Sequence, residues 1–183
     1  MSPRAGEAAG GRRDSERSAA GPHLLSDLES RYAPGHDRPL GGYMVLTGTF
    51  ASGVAAALLA LRRSGREIPE HPALSDVVLV GVATHKLSRL IAKDKATSFL
   101  RAPFTHFQHS SGHGEVEEKP CGHGVRLAVG ELLVCPYCLS QWVAAAFTLG
   151  LIAAPRATRL AGAVFASYTD FLQLAYRAAE DRV

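Results

Sequence analysis

The chain has few cysteines, few lysines and, over two long stretches, no charge at all. Its three cysteines, Cys121, Cys135 and Cys138, among 183 residues are too sparse, and odd in number, for a disulfide framework. Four lysines beside sixteen arginines leave a net charge of only +3 against seventeen acidic residues. That near-balance gives no electrostatic ground for a nucleic-acid partner. The abundance of Ala, Gly, Arg and Leu resembles a high-GC bacterial proteome. Mean hydropathy is close to zero, which conceals a split between a polar first 42 residues and a largely apolar remainder.

Residues 1–42 carry Arg, Glu, Asp, Ser, Gly and Pro with few large apolar side chains. Such a segment cannot bury enough surface to offset its ordering entropy, so it is predicted to be a disordered tail. "LLSDLESRY" at 24–32 is the one stretch that suits a short amphipathic turn or helix. Tyr43 to Leu61 follows without a charge and ends at Arg62 and Arg63, which meets the length test for crossing hydrocarbon. The polar region ahead of it is too long for a signal-peptide n-region. Gly48, Ser52 and Gly53 offer small surfaces for close helix contact.

A second span is predicted at about 73–92. Its charges gather at the far end, where His85, Arg89 and Lys93 fall at i, i+4 and i+8 on one helical stripe. The competing reading is a helix lying in the membrane interface. Residues 93–131 form the main soluble connection. It opens with an interfacial helix and turn, Phe99, Leu100, Phe104 and Phe107 among basic residues, and continues as a polar, Gly-rich mobile loop. Leu132 to Ala154 is the strongest span, 23 residues without a charge. Pro136 suits a first helical turn, where its missing N–H has no partner to lose. The 19 residues from Pro136 to Ala154 cover about 29 Å at the helical rise, close to the roughly 30 Å of a hydrocarbon core. Residues 160–176 are a fourth candidate and contain Asp170, which inside a span would face other helices or water.

The expected fold is therefore all-α: a small multi-pass helical membrane protein with three or four spans in a domain covering 43–178, behind a disordered tail. Lys and Arg set its orientation. With four spans and the N-terminus inside, fifteen basic residues fall on the inner side and five on the outer. The N-terminus and the 93–131 connection are thus expected in the cytoplasm, and the protein in the inner membrane.

The chemical candidates are few. Cys135-Pro136-Tyr137-Cys138 places two thiols at i and i+3, on one face of a helix start. The same spelling occurs in glutaredoxin active sites, but a thioredoxin-like fold needs the motif inside a βαβ unit, and here an apolar run follows. The metal reading gathers Cys121, His123, Cys135 and Cys138 as four zinc ligands. His106, His109 and His113 sit at spacings that suit a solvated loop. Tyr137 suits the aromatic belt of a membrane surface, and Trp142 with Gln141 lies deeper, where it can pack on a neighbouring helix.

Two segments, "ATHKLSRLIAKDKATSFLRAPFT" and "AVGELLVCPYCLSQWVA", resemble the bacterial membrane family called domain of unknown function 1360, over about Tyr43 to Tyr176. The resemblance implies a small helical integral membrane protein and supplies no activity. Its recurrent positions map to His85, Arg89, Asp94, Arg101, Pro103, Phe104, Glu131, Cys135, Pro136, Cys138 and Trp142. Arg89, Lys93, Arg101 and Glu131 are expected to form one charge network at the cytoplasmic mouth, with Asp94 pairing locally. No acid–base or nucleophile constellation falls in the membrane core. The reading therefore favours a structural or interaction component without catalysis, in contact with the lipid bilayer and with a membrane protein partner or a second copy. The alternative is a thiol-based metal-binding or redox-sensing membrane protein that uses the Cys-Pro-Tyr-Cys motif, with zinc as the metal.

Overall fold

A computed structural model describes residues 27–35, 38–112 and 114–166. Most of the expected tail, His113, Asp170 and the second half of the 160–176 candidate lie outside the described residues. In chain order the elements are α1 (27–32), α2 (Leu40–Arg63), α3 (Leu74–Lys93), a 3₁₀ turn (Lys95–Thr97), α4 (Ser98–Arg101), β1 (Thr105–Ser110), β2 (Val116–Pro120), α5 (Gly124–Val134), α6 (Pro136–Ala153) and α7 (155–166). The molecule is mostly helical, as the sequence predicts.

Two helices, α2 and α6, are long and apolar enough to cross a membrane. None of the apolar window of α2 is buried inside the molecule, so its apolar surface is not that of a core helix. Among the described residues α3 does not join them, because the polar residues of its second half dilute its apolar face. It packs instead. Small residues Ala83, Thr84, Ser88 and Ala92 are buried on α3, and Leu139, Val143 and Phe147, one i, i+4, i+8 stripe of α6, close over Ala83. Val80, Leu87, Ile91, Leu133 and Phe165 surround this core.

The 23-residue apolar run does not form one helix. Pro136 has no N–H to continue the α5 ladder and drives the preceding residue out of helical space. Cys135 accordingly stands extended at φ −101°, ψ 102°, so that α5 ends at Val134 and α6 begins at Pro136. Leu132 to Val134, expected in the span, thus belong to α5, a separate helix that begins at Gly124 within the expected connection. The end of the expected interfacial turn and most of the expected mobile loop, residues 105–120, instead form an antiparallel hairpin with a register shift between Phe107 and His109. Its strand β2 is short and rich in glutamate, a composition depleted in strands, and it owes its form to its partners.

Helix contact also differs at the glycines. Nothing approaches Gly48 or Gly53 within 4 Å of a would-be Cβ. The close approach falls at Gly42, where a Cβ would stand 2.8 Å from Ala128 Cβ and from the Gly124 carbonyl oxygen, so α2 crosses α5 there. A second lies at Gly130, 2.6 Å from the Phe104 carbonyl oxygen, where α5 meets the base of the hairpin. The start of α2, the end of α3, the hairpin and the start of α6 consequently gather at one end of the molecule. At the opposite end Arg159 of α7 makes a two-bond pair with Asp76 of α3, at 2.8 and 2.7 Å.

Candidate functional site

The hairpin end is organised by three ion pairs that join α3 and α4 to β2 and to Glu115, the residue just before it. Arg89 donates to Glu115 through Nε and Nη2, both at 2.9 Å. Lys93 donates to both oxygens of Glu117, at 3.0 and 2.8 Å. The match is geometric. Residues i and i+4 on a helix are about 6 Å apart, and residues i and i+2 on a strand about 6.6 Å apart. A basic stripe on α3 therefore fits an acidic stripe along the strand almost in step.

Glu118 turns to the opposite face of the strand and meets Arg101, whose side chain is wholly buried. Arg101 Nε and Nη2 donate to the two carboxylate oxygens of Glu118 at 2.9 and 3.0 Å. The other N–H groups reach the Ile91 carbonyl, Thr97 Oγ1 at 2.8 Å, the Asp94 carbonyl at 3.0 Å and Ser98 Oγ at 3.2 Å. All five donors of the guanidinium are thus used. Thr105 Oγ1 adds a 2.8 Å bond to Glu118. Burial alone would raise the Glu118 carboxyl, but the bonds from Arg101 and Thr105 and the Arg101 charge outweigh it and hold the carboxyl below the usual carboxylate range. The expected single network of Arg89, Lys93, Arg101 and Glu131 does not form: Arg101 pairs with Glu118, and Glu131 with Arg38. Three separate pairs, to Glu115, Glu117 and Glu118, take its place, and the Asp94 side chain accepts the Ala96 N–H, at 2.7 Å, as a local cap.

This clamp positions α5. The Cys121 N–H donates to the Phe104 carbonyl at 2.9 Å, and Arg126 donates twice to the Pro103 carbonyl, at 3.1 and 2.8 Å. The Arg-Ala-Pro-Phe-Thr turn thus holds the start of α5 through its backbone. At the other end of α5, Glu131 accepts a hydrogen bond from Tyr43 Oη of α2 and lies 3.6 Å from Arg38 Nη1.

Between α2, α5 and α6 runs a groove of about 640 Å³. Leu46, Phe50, Leu132 and Trp142 give it apolar walls, and Arg38, Tyr43, Glu131 and Gln141 line its polar part. Phe50 and Trp142 meet edge to face, their ring centres 5.1 Å apart. Cys135 and Cys138 border the same groove. Because Cys135 precedes the helix in an extended conformation, its Sγ turns back and accepts the Cys138 N–H at 3.2 Å, one of the donors a helix start leaves open.

The other nominated residues lie elsewhere. Cys121 sits at the junction of the hairpin and α5, its Sγ 3.9 Å from Arg126 Nη2, and His123 precedes α5. Among the described residues no three His, Cys, Asp or Glu side chains are placed to hold one metal ion, so the structure brings Cys135 and Cys138 together but does not join Cys121 and His123 to them. His106 and His109 are exposed on β1. His85 borders a small cavity of about 260 Å³ between α3 and α6, beside Pro136, Tyr137 and the clamp residue Arg89. Residues the sequence reading missed are Glu115, Glu117 and Glu118 of the clamp, and Arg38, Tyr43 and Phe50 of the groove. The period-two spacing of Glu115 and Glu117, facing i, i+4 basic residues, is the signal that was present for the first set.

A family model described as protein of unknown function (DUF1360) matches residues 79–176, more than half of the chain. The chain belongs to this family. The DUF1360 match runs from within α3 through the clamp, α5 and α6, and so contains every clamp residue together with Glu131, Cys135, Cys138 and Trp142. It leaves out α2, which supplies the opposite wall of the groove. No curated protein and no solved structure matches the chain.

Proposed function

We propose that this DUF1360 protein is a multi-pass bacterial inner-membrane protein with three or four spans, in which α2 and α6 cross the bilayer and are joined by α3, by the 160–176 segment or by both. In this reading it acts as a structural or interaction component without catalysis. The observation that carries it is the exposed apolar surface of α2: among the described residues, none in its apolar window is buried. Lipid is the environment that removes such a surface from water. The clamp end carries most of the Lys and Arg and belongs in the cytoplasm by the positive-inside rule. Polar side chains of the clamp are then spent on holding the helices in register, and the exposed faces are left for lipid and for a membrane protein partner or a second copy.

Labelling of intact cells with a membrane-impermeant maleimide tests the topology. Cys121 is expected to stay unlabelled until the cells are permeabilised, and ready labelling from outside reverses the orientation.

One observation favours a second reading, a thiol-based metal-binding or redox-sensing protein. Cys135 and Cys138 are joined by a thiol–backbone hydrogen bond and both face the groove. Zinc is the metal in this reading, and Cys121 and His123 would have to move to complete a four-ligand site. Zinc content of detergent-purified protein, compared with Cys135→Ser and Cys138→Ser, tests it. Equal content in all three removes the metal form.

A further inference from the structure

A dithiol beside an apolar, aromatic-walled groove is a two-electron donor next to a site shaped for a flat apolar acceptor. Cys135 and Cys138 flank the first turn of α6, and the hydrogen bond between Cys135 Sγ and the Cys138 N–H sets them side by side. Phe50 and Trp142 supply ring surface along the same groove, and Arg38 and Gln141 supply N–H donors. Glu131 and Tyr43 together take only part of the five N–H groups that Arg38 offers. One wall of the groove is α2, the helix whose apolar window is exposed among the described residues, so with α2 in the bilayer the groove lies beside lipid.

We propose that Cys135 and Cys138 are a redox pair that passes two electrons to a membrane-soluble quinone held in this groove. The inference rests on the thiol reading above and names its reaction partner. Both S–H bonds break and one S–S bond forms between Cys135 and Cys138. Two electrons and two protons pass to the quinone, and its two carbonyl oxygens become hydroxyls. The ring lies against Phe50 and Trp142, and the N–H groups of Arg38 and Gln141 donate to a carbonyl oxygen, where negative charge gathers as electrons arrive. On the cytoplasmic side thiols are held reduced, so oxidation of this pair reports the state of the quinone pool. A phospholipid tail is the rival occupant of the groove.

The test uses the full chain in detergent, reduced and then kept free of oxygen. The probe is decylubiquinone, whose ring has no open position for a thiol to add to. One hydroquinone formed per chain is expected, with loss of two hydrogens from the intact mass and a Cys135–Cys138 link in peptide mapping. Cys121→Ser keeps this reaction, and Cys135→Ser or Cys138→Ser abolishes it. Trp142→Ala slows quinone reduction by roughly tenfold, the scale of one lost aromatic contact. It leaves oxidation by a small water-soluble aromatic disulfide unchanged. If Trp142→Ala fails to fold, Phe50→Leu and Arg38→Gln carry the same comparison. Oxidation of the pair by the soluble disulfide but not by the quinone overturns the quinone assignment and leaves the thiol reading standing. No oxidation by either removes both. Equal quinone rates in the groove variants overturn the groove as the site and leave it to lipid.

Discussion

Three ion pairs of similar geometry differ mainly in how much water reaches them, and that decides their worth. Arg89 and Glu115 keep side-chain exposures of 45% and 24%, whereas Arg101 and Glu118 keep 0% and 6%. Removing one partner of an exposed pair costs about 0–1 kcal/mol. Removing Arg101 strands a buried carboxylate and the acceptors around it, a loss of about 3–5 kcal/mol. Arg101→Ala is therefore expected to lower the unfolding midpoint in detergent far more than Arg89→Ala, and equal effects would show that the buried pair is not the stronger one. Acid reads the same contact. The folded Glu118 carboxyl lies below its unfolded value of about 4.3. Its contribution is complete above that value and is lost as pH falls through the folded pKa. Thermal midpoints followed down to about pH 3 should fall more steeply in the native chain than in Glu118→Gln. Arg101 and Asp94 stood out in the sequence, but their partners did not, because a charge has many opposites and only the return of the chain selects one.

Helices and strands carry a different set of tests. Gly42 and Gly130 permit close crossings, whereas nothing comes near Gly48 or Gly53. Gly130→Ala puts a methyl against the fixed Phe104 carbonyl, and overpacking of that kind costs about 1–3 kcal/mol. Gly42→Ala meets Ala128 and the Gly124 carbonyl and is expected to behave likewise. Gly48→Ala meets nothing and gains up to about 1 kcal/mol of helix propensity. Opposite signs in thermal midpoint for Gly130→Ala and Gly48→Ala are expected, and a loss at Gly48 would place an unseen neighbour there. Spacing along the chain could not separate these glycines. Pro136 was legible because its effect is local: no helix donor at 136 and an extended residue at 135 follow from the imino ring alone. The hairpin was illegible because Glu-Val-Glu-Glu has poor strand propensity and is held by bases more than twenty residues away.

At the scale of the whole molecule, the two charge-poor helices dominate. After an alkaline carbonate wash the protein is expected to remain in the membrane pellet, and its release into the supernatant would remove the spanning reading. Helical class, the two apolar runs and the family were determined by the sequence alone, since absence of charge, apolar length and short motifs are properties of consecutive residues. The tertiary structure decided what joins them. It paired Arg101 with Glu118 and not Glu131, and placed the two thiols on a groove whose other wall comes from α2. Those outcomes depend on which distant segments meet, and contact between segments is set by packing and by satisfied charge, which no local pattern records.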